Sequence, residues 1–283
     1  MSNSPKQKLE VPPEISRSWL LLSARSTDKF DSARASRTDQ LILDLEDGVD
    51  PNYKNEARED VLEWFAGGGS AWVRINPRST EFWAGDVDNL AGVKGLQGVM
   101  LAKTEYPEEV SETFERLGGN TPVIPLIESA LGIESAVTIA KAKGVFRLAF
   151  GSGDYRRDTG TEASDLAMAY PRSRLTTASA IAGLTGPIDG PTVSKSHPVI
   201  REQCETAVSL GLTGKLCLDV NQLPVINECL SPPPADVGWA RDFIAEFDAR
   251  GRIVRDGSDL PRLKRAERID HLARAFGIEP VRY

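Results

Sequence analysis

Between Thr121 and Asp158 the chain reads TPVIPLIESALGIESAVTIAKAKGVFRLAFGSGDYRRD, and no other stretch limits the fold as tightly. Two short apolar runs, Val123 to Ile127 and Phe146 to Phe150, have strand-like length and are punctuated at both ends. Leu131 to Lys143, between them, has helical spacing. A strand–helix–strand crossover makes the two strands parallel. Glu128 follows the first strand directly and Asp154 follows the second shortly. Both carboxylates therefore leave the same face of one sheet. Two oxygen-only ligands held there suit a hard divalent cation such as Mg²⁺, which keeps several waters and completes its shell from substrate. Taken alone, Glu128 reads equally well as a helix cap and Asp154 as part of an ordinary turn.

The same alternation runs through the whole chain. Strands are predicted at Ser18 to Leu22, Gln40 to Asp44, Ala71 to Ile75, Gly98 to Leu101, the two runs above, Gly186 to Asp189 and Lys215 to Leu218. Helices are predicted at Asp28 to Arg37, Glu56 to Phe65, Phe82 to Leu90, Pro107 to Leu117, Leu131 to Lys143, Leu166 to Ala182 and Pro198 to Leu210. Eight such units predict an α/β fold, a single (β/α)8 TIM barrel. A doubly wound open sheet is the alternative, but it would carry a Gly-rich turn after its first strand, and SARSTDK is not one. Helices at Val237 to Ala249 and Arg262 to Phe276 lie outside the eightfold count. The organisation expected is a disordered lead-in over 1–16, a barrel over 17–231, and a C-terminal helical arm over 232–283, either a decoration or an arm for assembly.

Composition narrows the partners. Net charge is −7 over 283 residues, which argues against nucleic acid, since phosphate binding calls for a basic face. No run of eighteen apolar residues spans a membrane, and MSNSPKQKLEVPPE lacks the apolar core of a signal peptide. Cys204, Cys217 and Cys229 are odd in number and show no CxxC spacing, as expected of structural thiols in a cytoplasmic protein. Only His197 and His271 are present, too few for a multi-histidine zinc site.

In a barrel the C-terminal strand ends build the active site. Five successive ends carry polar groups here: Glu46 with Asp47, Arg74, Lys103, Glu128 and Asp154. One or two such residues would follow from loop polarity alone; five in a row predict a site. Glu128 and Asp154 are the expected metal ligands. Arg74 offers a planar fork that matches a carboxylate, so a small carboxylic acid is the expected substrate. A 2-oxo or 2-hydroxy acid could place neighbouring oxygens on the cation, which would stabilise enolate charge as a carbon–carbon bond forms or breaks. Glu46 and Asp47 either hydrogen-bond metal-bound water, stand at a helix N-terminus, or pair with Lys103.

LILDLEDGVDPNYKNEAR, WVRIN, PLIESALGI and LAFGSGDYRRDTG, in that order, resemble the citrate lyase β-subunit-like branch of the HpcH/HpaI aldolase superfamily, over about Arg17 to Gly277. The resemblance implies a TIM barrel, Mg²⁺, and reversible cleavage of a 3-hydroxy acid or its acyl-CoA thioester, of citryl, malyl or citramalyl type, to an oxo-acid and an acyl thioester. It implies metal carboxylates at Glu128 and Asp154, with Glu128 also against substrate, and an oxo-acid-binding Arg74. Arg25 and Lys103 are expected to help bind substrate, and Glu46 and Arg74 to take part in catalysis. DGSDLPRLKRAER, Asp256 to Arg268, resembles the C-terminal motif whose aspartate enters a neighbouring subunit as acid/base, and Asp259 falls on that position. A homotrimer or hexamer is implied. The chain departs from the pattern at Ser23-Ala24-Arg25, Tyr155-Arg156-Arg157 and Leu218-Asp219-Val220. Other readings are a thioester hydrolase, a free oxo-acid aldolase, or a non-catalytic, partner-dependent subunit that binds metal and oxo-acid.

Overall fold

The computed structural model describes residues 10–281. Eight parallel strands close into a barrel in sequence order: β1 (Ser18–Ser23), β2 (Gln40–Asp44), β3 (Ala71–Ile75), β4 (Leu96–Leu101), β5 (Val123–Ile127), β6 (Ala149–Phe150), β7 (Ile188–Asp189) and β8 (Gly214–Cys217), which pairs back to β1. Around them run α1 (Phe30–Ala35), α2 (Lys54–Ala66), α3 (Phe82–Leu90), α4 (Pro107–Arg116), α5 (Ala130–Ala140), α6 (Ser152–Thr159), α7 (Asp165–Ala182), α8 (His197–Ser209) and α9 (Leu223–Cys229). Two further helices, α10 (Pro234–Ala249) and α11 (Asp259–Phe276), pack on each other as the C-terminal arm. The predicted barrel with extra C-terminal helices is therefore the fold. No helix among the described residues is long and apolar enough to cross a membrane, and the three cysteines are free thiols.

Strand side chains alternate between the barrel interior and the helical layer. Trp19, Ile42, Trp72, Met100, Ile124, Leu126, Ala149, Ile188 and Leu216 form one buried cluster, the interior. Their strand neighbours Leu20, Leu43, Val73, Val99 and Leu101 pack into a second cluster beneath the helices. The interior is aromatic, with the Trp72 ring 5.4 Å from both Trp19 and Phe146. It fits because residue 98 is glycine: a Cβ there would lie 2.2 Å from the Trp72 ring. The same parity sets the upper rim. Asp44 stands two residues beyond Ile42, Arg74 two beyond Trp72, and Glu128 two beyond Leu126. All three therefore face inward at the C-terminal mouth.

The predicted strands at 146–150 and 186–189 shorten to two residues each. Arg147 supplies the reason. Its guanidinium is fully buried. It donates to the carbonyl of Gly186 (2.8 and 3.2 Å), taking an acceptor that the ladder would otherwise use. It also donates to Thr213 Oγ1 (3.1 Å) and to the carbonyls of Pro13 (3.2 Å) and Ser16 (3.1 Å). Burial pushes this group down to about 9, which leaves it charged at neutral pH. Residues 1–9 of the expected lead-in lie outside the described residues. Val11 and Ser16 are buried and Pro13–Ile15 forms a 3-10 turn, so the folded body begins ahead of Arg17. Arg147→Met would orphan several of these acceptors at once, and a loss of about 2–4 kcal/mol in urea denaturation is expected. An unchanged midpoint would mean that the floor does not depend on this side chain.

The predicted helix at 28–37 is shorter, a 3-10 turn at Thr27–Lys29 followed by α1. Two helices have no counterpart in the prediction, α6 and α9. The SGDYRRDT segment of α6 lacks apolar periodicity, and α9 is seven residues behind a Pro at its second position.

Candidate active site

Asp44 organises the mouth. Strand register sets it opposite Arg74. Arg74 Nε donates to Asp44 Oδ1 and Nη2 to Oδ2, both at 2.7 Å. The same carboxylate accepts the backbone N–H of Glu46 and of Gly48, both at 2.9 Å, which folds the turn that presents Glu46 and Asp47. Lys54 on α2 clamps this turn from behind. Its ammonium donates to the carbonyls of Leu45 (2.8 Å) and Glu46 (2.7 Å).

The arrangement corrects one expectation. The side-on edge of the Arg74 fork is committed to Asp44, not free for substrate. Nη1 lies 3.2 Å from Glu46 Oε2, and only the end-on edge of Nη1 and Nη2 can turn to a ligand. Burial alone would push Arg74 down; the Asp44 carboxylate more than offsets it and holds the group above its usual value.

Lys103 stands among acids. Its ammonium meets acids rather than an open subsite: Glu46 Oε1 at 2.5 Å, Asp47 Oδ1 at 3.4 Å and Asp154 Oδ2 at 3.8 Å. Its backbone N–H donates to Glu128 Oε1 at 2.8 Å. The pairing of Glu46 and Asp47 with Lys103 is present.

Glu128 is buried at the end of β5. Burial pushes its carboxyl up to about 8 and pushes Glu46 up as well. A Cβ on Gly151 would lie 2.2 Å from Glu128 Oε2, so glycine is required for the chain to pass this carboxylate. Asp154 stands in the first turn of α6, not in a loop, and Arg157 one turn later reaches its Oδ1 at 3.0 Å. Among the described residues no three His, Cys, Asp or Glu residues form a complete metal cage, and the buried carboxylate oxygen of the mouth without a hydrogen-bond partner is Glu46 Oε2. The all-oxygen pair Glu128 and Asp154 fits a hard cation that keeps water and substrate in the rest of its shell.

Two expected residues are not brought to this cluster. Arg25 lies just past β1, where α2 holds it through Glu56 (2.8 Å) and Asp60 (3.2 Å), with its guanidinium over the Tyr53 ring. Asp259 opens α11, pairs with Arg250 at 2.9 Å and accepts the Arg255 N–H at 2.8 Å. None of its bonds reaches the mouth of its own barrel. Asp44 and Lys54 were missed. The signal for Asp44 was in the sequence: it has the parity of Ile42, as Arg74 has that of Trp72.

The family description HpcH/HpaI aldolase/citrate lyase matches residues 17–220, and that of the HpcH/HpaI aldolase C-terminal domain matches 235–277. The chain is similar to a mitochondrial citramalyl-CoA lyase of Rattus norvegicus, 30% identical over 290 residues that cover 91% of this chain and 86% of the relative. It resembles the structure of CitE from Mycobacterium tuberculosis in complex with magnesium, acetoacetate and coenzyme A (TM-score 0.75, 27% identity, 93% of this chain and 98% of that one). A second structure, the citrate lyase β subunit of M. tuberculosis with oxaloacetate and magnesium, aligns with TM-score 0.67 at 27% identity over 77% of this chain and 98% of that one.

Proposed function

Because the chain belongs to the HpcH/HpaI aldolase/citrate lyase family, we propose that it is a Mg²⁺-dependent carbon–carbon lyase acting on acyl-CoA thioesters of 3-hydroxy acids. The products are an oxo-acid and a shorter acyl thioester, and the reaction is reversible. The observation that carries the reading is the convergence of Arg74, Glu128 and Asp154 on one mouth.

Glu128 and Asp154 would hold the metal. When bound, Mg²⁺ supplies Lewis-acid stabilisation for enolate charge as the carbon–carbon bond breaks. Arg74, with Asp44 fixing its side-on edge, turns Nη1 and Nη2 to the oxo-acid carboxylate. Glu46 holds Lys103 and the inner side of Arg74 in place. In cleavage a base must take the 3-hydroxyl proton, and an acid must return one to the carbon that leaves. Asp259 is our candidate for that proton transfer, acting in a neighbouring subunit of a homotrimer or hexamer. Its partners Arg250 and Arg255, away from its own mouth, support this placement. Three free thiols support a reducing compartment such as the cytoplasm.

Citryl-, malyl- and citramalyl-CoA, each incubated with the protein in Mg²⁺ or in EDTA and read by mass spectrometry, test the reading. Cleavage of one thioester to oxo-acid and acyl-CoA, in Mg²⁺ alone, is expected. Free CoA released without carbon–carbon cleavage would make the protein a thioester hydrolase. No turnover, together with no calorimetric binding of oxaloacetate, pyruvate or glyoxylate, would leave only a partner-dependent subunit.

A further inference from the structure

Lys103 touches four acids of the mouth, all but Asp44. Its ammonium faces Glu46, Asp47 and Asp154, and its backbone N–H holds Glu128. These acids come from three separate strand ends, after β2, β5 and β6, and Lys103 follows a fourth, β4. It sits at φ 50°, and among described non-glycine residues only Arg252 shares a positive φ. A long side chain in the left-handed region persists only where its surroundings impose it. Here both ends of the residue are fixed, the N–H by Glu128 and the ammonium by Glu46.

We propose that Lys103 is a built-in counter-cation, a positioning residue that holds the four carboxylates together in the metal-free protein and competes with the divalent metal for Asp154. The inference rests on the proposed metal site and adds a role that substrate binding does not require. Arg74 answers Glu46 from one side at 3.2 Å, but without the Lys103 ammonium Asp47 and Asp154 would repel Glu46 and splay their loops. The ammonium prevents this, yet its contact with Asp154 is the longest of the three, at 3.8 Å. Its side chain is 41% exposed, which leaves it room to withdraw when a divalent ion arrives. Metal loading is then an exchange of one cation for another. Arg157 also reaches Asp154, but its side chain is 76% exposed, where solvent screens the pair.

The test compares wild type, Lys103→Met and Arg157→Gln by Mg²⁺ titration calorimetry and by melting in EDTA. Methionine keeps the length of the side chain and removes its charge. Lys103→Met is expected to bind Mg²⁺ at least about fivefold more tightly than wild type, and Arg157→Gln to differ by less than about twofold. In EDTA at low salt Lys103→Met should melt below wild type, with a deficit that shrinks as NaCl is raised, as a charge effect does and a packing defect does not. Lys103→Arg, which restores the charge, should return both readouts toward wild type. Equal or weaker Mg²⁺ binding by Lys103→Met overturns the competition. A melting point in EDTA equal to or above that of wild type overturns the counter-cation role, whatever the metal does. A wild-type protein that binds no Mg²⁺ refutes the metal site itself, and the EDTA melts still decide whether Lys103 holds the acids together.

Discussion

Glu128→Gln is expected to abolish Mg²⁺-dependent stabilisation and to lower lyase turnover at least about a thousandfold, while leaving the metal-free fold as stable as wild type or more so. Glutamine keeps an oxygen for the Lys103 N–H and has the shape of a protonated carboxyl. In wild type the Glu128 carboxyl is pushed up to about 8 by burial, against a usual value of 4.5. Folding in EDTA therefore takes up a proton between those values. The stability this group contributes is complete below about 4.5 and is lost as pH rises through about 8. Glutamine carries no such loss, so in EDTA at pH 8.5 the variant should melt at or above wild type. Excess Mg²⁺ reverses the order. A ligand at a hundred times its dissociation constant adds about 2.7 kcal/mol to the state it binds, and only wild type should gain it. Scanning calorimetry at two pH values, with Mg²⁺ and with EDTA, reads all four conditions. A variant that still gains stability from Mg²⁺ would remove Glu128 from the metal's ligands.

Arg74→Lys is the second large effect. The guanidinium serves two clients: Asp44 takes Nε and Nη2, and the end-on edge is left for substrate. An ammonium is a single point with no fork, so it can satisfy one client but not both. If it stays with Asp44, the substrate carboxylate loses its partner. If it turns outward, Asp44 is left buried with its charge unanswered. Oxaloacetate affinity at saturating Mg²⁺ should fall about a hundredfold, and stability should drop by about 1–3 kcal/mol, both from the lost bidentate contacts. Calorimetric binding and urea midpoints measure the two separately. Wild-type oxaloacetate affinity in this variant would assign the acid to another cation of the mouth.

The barrel was legible because its strands announce themselves locally. Gln40 to Asp44, Ala71 to Ile75 and Val123 to Ile127 are found with the ends predicted for them. The run Phe146 to Phe150 looked equally apolar, but only two of its residues join the ladder. What sequence could not weigh was Arg147 within it, whose partners Pro13, Ser16 and Gly186 are distant in the chain. The site divides in the same way. Which residues stand at strand ends follows from punctuation, and the positions of Glu46, Arg74, Lys103 and Glu128 followed. Which side chain a residue grips depends on register between strands. That is why the sequence did not show that Asp44 takes the side-on edge of Arg74, or that Lys103 is embedded among acids.

The two halves of the ring are not equally braced. β1 pairs with β2 from Trp19 to Ser23, and β3 pairs with β4 from Ala71 to Ile75. Opposite them the β6–β7 ladder has a single registered pair, Ala149 with Ile188, backed by the Arg147 bonds to the Gly186 carbonyl. Arg74 and Asp44 stand on the stiff arc, and Asp154 leaves from the loose one. In the proposed site the oxo-acid carboxylate would thus meet an anvil, while one of the two acids proposed for the metal rides on the shorter staves. Short staves yield at low cost. An adjustment to a cation of another size would then fall on the Asp154 side and spare the Arg74 side.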